Sequence, residues 1–461
     1  EFAARFPAWL FTIGTALLIA WFASRVGIDA PAAAIMFLTM PLTIAFSRTV
    51  IFDSALSFFI TLALIAFYLA VEEEVGRPPL AVGRRQITAN GERRTANWWA
   101  AVGWAAMAFG IITKGPVALA VPLIVAIPWT IWRKRARHVV SIAGLILFVV
   151  IIAPWVWAIS LKIPDFLRYV LVTETAQRLT TGALKRTGPP WYFLPYLLGG
   201  ALPWVFLTWS RLSRRLEPAE SRLYVFLLLW IAIPFVFFSL SQSKRPQYIL
   251  PLMPAIALLA AKRWEKPRAA AIAMAIVGAL LLAAIPFVHI PFGAGTAIIL
   301  GASALLFGLI AIFTRGAIAL IALSIPMLLI PLMTAGVMRS ISGRRSEKAL
   351  VADIRSILQP ETQIVGIEAF TGSMQFYLQR PIVIVTPDAE ELTSNYITRH
   401  YSDFVGKSVL QPKSWLDEAF KRPATIFIVR VNDRGNRSLV EAHGRRIVAE
   451  DAHFVAYTMP R

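Results

Sequence analysis

Two charged residues, Arg48 and Asp53, interrupt the apolar stretch FSRTVIFDSALSFF at positions 46–59. A carboxylate costs about 2.5–3.5 kcal/mol at the centre of a bilayer and far less near its surface. Asp53 therefore either anchors a helix end at the interface or positions a polar substrate there. Five positions separate it from Arg48, so the two share no face of one continuous helix and meet only across a turn. Lys114 sits in ITKGPVAL (112–119), where Gly115 permits a tight turn and Pro116 suits the first turn of the next helix. It reads as a snorkelling lysine or as an ammonium held for a phosphate or carboxylate. In SLSQSKRPQYILP (239–251), Pro246 marks a helix start, with Lys244 and Arg245 just before it and Tyr248 in its first turn. Two cations beside free backbone N–H groups form a candidate anion site. DFLRYVLVTETAQRL (165–179) reads as an amphipathic helix lying on a membrane, with Glu174 and Arg178 on one face. The surrounding segment 160–190 carries five cations: Lys162, Arg168, Arg178, Lys185 and Arg186.

The elements that must position these residues are membrane spans. Of 461 residues, 57% are hydrophobic, and the mean hydropathy is +0.64. Long apolar runs in such a chain read as transmembrane helices. Fifteen Trp and thirty Pro fit that class. The pattern predicts about twelve spans of ~20 residues each, from residue 8 to residue 338. A net charge of +20 would point to nucleic acid in a soluble protein. Here the Lys and Arg hold loops in the cytoplasm, and no nucleic-acid partner is expected. Those loops carry Arg77, Arg84, Arg85, Arg93 and Arg94, then RKRAR (133–137), RLSRR (211–215) and KRWEKPR (262–268). Arg48, Asp53, Lys114, the 160–190 segment, Lys244, Arg245 and the chain beyond residue 340 then fall on the outer face. The absence of Cys excludes disulfides, thiolate metal sites and a cysteine nucleophile.

Beyond residue 340 the pattern changes. TQIVGIEAF, RPIVIVTP and PATIFIVRV are short β-branched runs bounded by Pro, Gly or polar residues, so they read as strands. GRRSEKALVADIRSIL, SMQFYLQR and RSLVEAHGRR read as helices. Residues 341–461 are thus expected to form an extracytoplasmic α/β domain behind a membrane domain at 1–340. It shows no phosphate-binding glycine loop, HExxH or GxSxG. The five histidines are scattered without metal-ligand spacing, and no metal or cofactor is demanded.

These motifs, in this order, resemble those of the bacterial aminoarabinose transferases of lipid A and the wider glycosyltransferase family 39/83 of the GT-C superfamily. EFAARFP looks like the opening of that family's second span, and SRTVIFDSALSFFITLAL like its third-to-fourth span junction. ITKGPVAL and SQSKRPQYILPLMPAIALL resemble its signature turns, and RYVLVTETAQRL its large periplasmic loop. The resemblance covers nearly all of residues 1–340. It implies a polytopic GT-C-like helical fold that moves a sugar from a polyprenyl-phosphate donor to a lipid A-like or other extracytoplasmic acceptor. It also implies a bacterial inner-membrane location with the active site facing the periplasm. Carried over, Asp53, Lys114, Glu174, Arg178, Lys244 and Tyr248 match positions that family uses at or near its donor site; with the reading of the residues, Asp53 and Glu174 are the catalytic candidates, and Arg48, Lys114, Arg178, Lys244, Arg245 and Tyr248 the substrate-binding ones. Thr175 stands where many relatives carry His. The family's first span and first, acidic periplasmic loop precede EFAARFP, so the chain is expected to be N-terminally truncated. The alternatives are a protein O-mannosyltransferase-like enzyme and a lipid or sugar transporter or flippase. Transporters bind at the bilayer midplane between repeated halves, whereas these charges gather on one face and no repeat is visible.

Overall fold

The computed structural model describes residues 2–72, 89–163, 165–172, 188–208, 218–287, 293–344 and 346–460. The chain divides into two compact units, Glu1–Thr334 and Ala335–Arg461.

The first unit is helical. Among the described residues, six helices are long and apolar enough to cross a membrane, including Phe2–Arg25, Asp53–Glu72 and Ile142–Lys162. Two of them show opposite uses of the same composition. Asp53–Glu72 is apolar all round and 83% of its span is buried in protein, as expected for a helix at the centre of a bundle. Ile142–Lys162 is more apolar still, yet only 6% of its span is buried. Ile146, Val150, Trp157 and Leu161 all stand exposed on it, a surface suited to lipid.

The apolar stretch 30–47 is broken into two helices, Ala30–Thr39 and Pro41–Ser47, bent by 68°. Pro41 has no N–H to continue the ladder, and the residue before a proline is driven out of the helical region. Met40 accordingly has φ −66° and ψ 129°. The hydroxyl of Thr39, beside the break, accepts a 2.9 Å hydrogen bond from Trp204 Nε1. Asp29 caps the first of the two helices by accepting from the Ala32 N–H at 2.7 Å.

Charge closes one end of the central helix. Glu72 accepts from Arg133 Nε at 2.6 Å, and Arg222 Nε lies 2.8 Å from its other oxygen. Arg135 donates to Val71 O at 2.9 Å. These contacts tie Asp53–Glu72 to the helices Val117–Trp132 and Pro218–Leu240, and cations at a helix C-terminus also favour its dipole. Sequence reading used Arg133 and Arg135 only to orient the chain and did not single out Glu72.

Helices Arg268–Ala284 and Ala294–Phe313 approach through small residues. A Cβ on Gly308 would stand 2.6 Å from Ala275 N, so only glycine allows this backbone contact. Gly308→Leu is expected to force the pair apart and cost about 2–3 kcal/mol by overpacking. A lower melting temperature in detergent checks this; an unchanged one removes the packing argument.

The second unit is a six-stranded sheet with order β3-β2-β1-β4-β6-β5. The strands are β1 (Gln363–Ile367), β2 (Val383–Val385), β3 (Leu410–Gln411), β4 (Thr425–Arg430), β5 (Arg446–Glu450) and β6 (Phe454–Thr458). The first four run parallel, and β6 and β5 add antiparallel at the edge. Alternation fills both faces. Ile364, Ile384 and Ile428 pack with Leu350, Ile354 and Met374 on one side. Val365, Val385 and Val429 pack with Leu416, Phe420 and Val440 on the other. Sequence reading found β1, β2 and β4 and missed β3, β5 and β6.

Candidate active site

The site is built at the N-terminal end of the central helix. Asp53 is its first residue and only 4% exposed. Lys114 ends helix Ala89–Lys114, and Gly115 follows at φ +87°, a backbone region that glycine adopts without cost. The Gly115 N–H donates to Ile111 O at 2.7 Å and closes that helix. This termination delivers the Lys114 ammonium to Asp53, with which it forms an ion pair across 61 positions of sequence.

A third segment completes the cluster. Pro246 starts a 3₁₀ helix, Pro246–Leu252, with Arg245 as its extended cap residue. The Arg245 charge reaches the Asp53 carboxylate. The Lys114 ammonium lies 5.7 Å from the centre of the Tyr248 ring, within cation–π range. Tyr248 in turn packs on Phe238 and Phe193, with centroids 5.7 and 6.4 Å away. Asp53, Lys114, Arg245 and Tyr248 are thus assembled from three separate turns.

Lys244 stands just before the Pro246 helix start, as read from the sequence, but its bonds run back along the chain. Its ammonium donates to Ser239 O and Ser241 O, both at 2.6 Å. These carbonyls close the C-terminal end of Pro218–Leu240, where cations are favoured. Its aliphatic stem is buried with it, the residue being 7% exposed, and this burial pushes the ammonium below its ordinary pKa. The third donor of the ammonium stays available for another partner.

Arg48 lies elsewhere. The chain does turn between Ser47 and Asp53, but Arg48 lines a groove of about 170 Å³ with Trp9, Thr12, Thr43, Ser47 and Leu328. Glu174 and Arg178 fall in 173–187, outside the described residues, as do the basic segments at 73–88 and 209–217. The described start of the expected surface helix is a helical turn, Phe166–Arg168, with Arg168 exposed. Sequence reading gave Tyr192 and Phe193 no role at the site; Phe193 packs against Tyr248 and Lys244, and Tyr192 packs on Phe193 with ring centres 5.1 Å apart, so both belong to the wall of the site. Their signal was the GPPWYFLP motif between the cation-rich segment and the next apolar run.

No group of three or more His, Asp or Glu among the described residues is arranged to hold a metal ion. The arrangement offers a carboxylate–ammonium pair, a second cation and an aromatic wall. It can receive an anion at Lys114 and Arg245 while aromatic surface packs against an apolar or sugar portion.

A family model described as dolichyl-phosphate-mannose-protein mannosyltransferase matches residues 1–170. An undecaprenyl phosphate-α-4-amino-4-deoxy-L-arabinose arabinosyl transferase of Erwinia tasmaniensis is 32% identical over 299 residues, 64% of this chain and 50% of that protein. The enzyme of the same description from Yersinia pestis is 31% identical over 273 residues, 57% of this chain and 45% of its own. The matches span about half the length of these relatives. Two crystal structures of ArnT from Cupriavidus metallidurans share the fold along the whole chain. The form bound to undecaprenyl phosphate has a TM-score of 0.74 at 24% identity, with 85% of that protein covered. The apo form has a TM-score of 0.72 at 25% identity, with 84% covered. The helical unit, the turns that gather Asp53, Lys114 and Tyr248, and the small sheet unit together give this chain the fold of the ArnT structures.

Proposed function

We propose that the protein is a membrane glycosyltransferase that moves a sugar from a polyprenyl-phosphate donor to a lipid A-like or other lipid acceptor. The observation that carries this reading is the convergence of Asp53, Lys114, Arg245 and Tyr248 at one end of the central helix. Transfer breaks the bond between the sugar's anomeric carbon and the donor phosphate oxygen. The electron pair leaves with the polyprenyl phosphate, and the acceptor oxygen takes its place on carbon. Cations fixed where negative charge develops are the largest usual source of catalysis in such a step. Lys114 and Arg245 are in position to supply them, and the third donor of Lys244 adds to them. Asp53 is already partnered by Lys114, so its role is to fix that ammonium rather than to act as a free base. A phosphate acceptor needs no strong general base; a hydroxyl acceptor does. Glu174 and Arg178 enter this proposal on the sequence resemblance alone.

The same reading puts the protein in a bacterial inner membrane, with the active site of a transferase domain at 1–340 and the α/β domain at 341–461 both facing the periplasm. The asymmetry of Lys and Arg between loops supports that orientation. The family model over residues 1–170 favours a second reading, in which the acceptor is a protein hydroxyl. One experiment separates them. Membranes from cells making the protein are supplied with a radiolabelled polyprenyl-phosphate sugar, and label is followed into lipid and into protein. Label in lipid A or another glycolipid supports the proposal, label in protein supports the second reading, and label remaining on the donor defeats both.

A further inference from the structure

The sheet unit contains a crevice lined by none of the residues placed at the transfer site. It has a volume of about 330 Å³ and is lined by Glu368, Asp388, Glu390, Glu391, Arg430 and Asp433. All six follow or end parallel strands: Glu368 comes after β1, Asp388 to Glu391 after β2, and Arg430 and Asp433 at and after β4. The chain adds β2 and β3 on one side of β1 and then crosses to add β4 on the other. The crevice therefore opens at the carboxyl ends of the strands, where their order reverses. Open α/β sheets place ligands at such a point, and this volume lies at the lower end of small-molecule sites.

The lining side chains are not equally satisfied. Glu368 is held by Lys413 at 2.5 Å, and that carboxylate raises the pKa of the Lys413 ammonium. Asp433 accepts from Asn436 Nδ2 at 2.6 Å and from the Asn436 N–H at 3.0 Å. Asp388 accepts from the Glu390 N–H at 3.0 Å. Glu391 differs: it is only 9% exposed, and its Oε2 is buried with no hydrogen-bond partner. A carboxylate oxygen shut from water without a donor is costly, and a bound donor would remove that cost.

We propose that this crevice binds a small organic cation bearing N–H donors, a primary amine or diamine, with Glu391 as its principal anchor. The wall presents five carboxylates against the Arg430 guanidinium, and with Glu368 paired to Lys413 the balance still favours a positive occupant. Those carboxylates are not grouped as metal ligands, so several N–H donors fit them better than one compact ion.

The test is isothermal titration of the full chain in a nonionic detergent at fixed ionic strength, with putrescine as the probe. Saturable binding is expected, weakened at least about ten-fold by Glu391→Gln. Glu390→Gln, on the exposed rim, is expected to weaken it less, and carries the test if Glu391→Gln alters folding. Glu361→Gln, before β1 at the opposite strand end, is expected to change nothing. Parallel titrations use magnesium and calcium chloride. If these metals bind at the Glu391-dependent site and putrescine does not, the organic-cation assignment fails. If putrescine shows no saturable binding, or binds indifferently to both crevice variants, the site itself is overturned.

Discussion

Lys114→Met is expected to lower sugar transfer by about 30- to 1000-fold, equivalent to ~2–4 kcal/mol of lost transition-state stabilisation. Methionine keeps much of the stem's volume and removes only the charge that meets Asp53. Two effects then combine: the departing phosphate loses a cation, and a carboxylate 4% exposed loses its partner. Asp53→Asn separates them, because it leaves Lys114 charged but unanchored. If Asp53 serves mainly to fix Lys114, the double variant will be no worse than Lys114→Met alone, the non-additive pattern of residues acting as a unit. Transfer from a radiolabelled lipid-linked sugar is measured against protein abundance in the membrane. Near-normal turnover in Lys114→Met, with normal insertion, would make the pair an interfacial anchor and remove the observation on which the proposed function rests.

The second large effect belongs to the other end of the same helix. Glu72→Ala is expected to destabilise the membrane unit by about 3 kcal/mol, since it strands Arg133 and Arg222 in a mostly buried place. The melting temperature in detergent is expected to fall by roughly 5 °C or more. Glu72→Gln keeps an acceptor and is expected to fall less. A helix of 20 residues is about 30 Å long, so the transfer site lies a full membrane thickness away. At a temperature where the variant stays folded, its turnover should match that of the parent. A stable Glu72→Ala protein would mean that water satisfies both guanidinium groups. Selective loss of turnover without loss of stability would mean that the two ends of the helix are coupled.

Local chemistry made some of this site legible in the sequence. Gly115 and Pro116 after Lys114, and Pro246 after Arg245, are turn signals that act within a few residues, and both turns stand where the motifs put them. The pairing of Lys114 with Asp53 was not legible, because helix packing brings together positions far apart and hydropathy carries no record of it. The triad of Glu72, Arg133 and Arg222 was missed for the same reason. The bend at Met40 was missed differently. A hydropathy window averages over the break, although Pro41 was there to be read. Lys244 shows a third limit: a cation between two helices can serve the end of one or the start of the other, and only the folded backbone shows that it bonds the carbonyls of the first. In the sheet unit the alternating strands β1, β2 and β4 announced themselves. The crevice behind them could not, because its carboxylates are spread from Glu368 to Asp433 and only the sheet order collects them.

The outward-facing helix Ile142–Lys162 has a practical consequence. The chain holds no cysteine, so any thiol introduced is unique and can carry a spin label or fluorophore. Ile146, Val150, Trp157 and Leu161 are exposed on this helix, spaced four, seven and four residues apart along one face. At about 1.5 Å of rise per residue, single cysteines at these positions form a depth gauge. Quenchers fixed at known levels in the acyl chains would read where each rung sits, and so fix how deeply the Asp53 end lies below the phosphates.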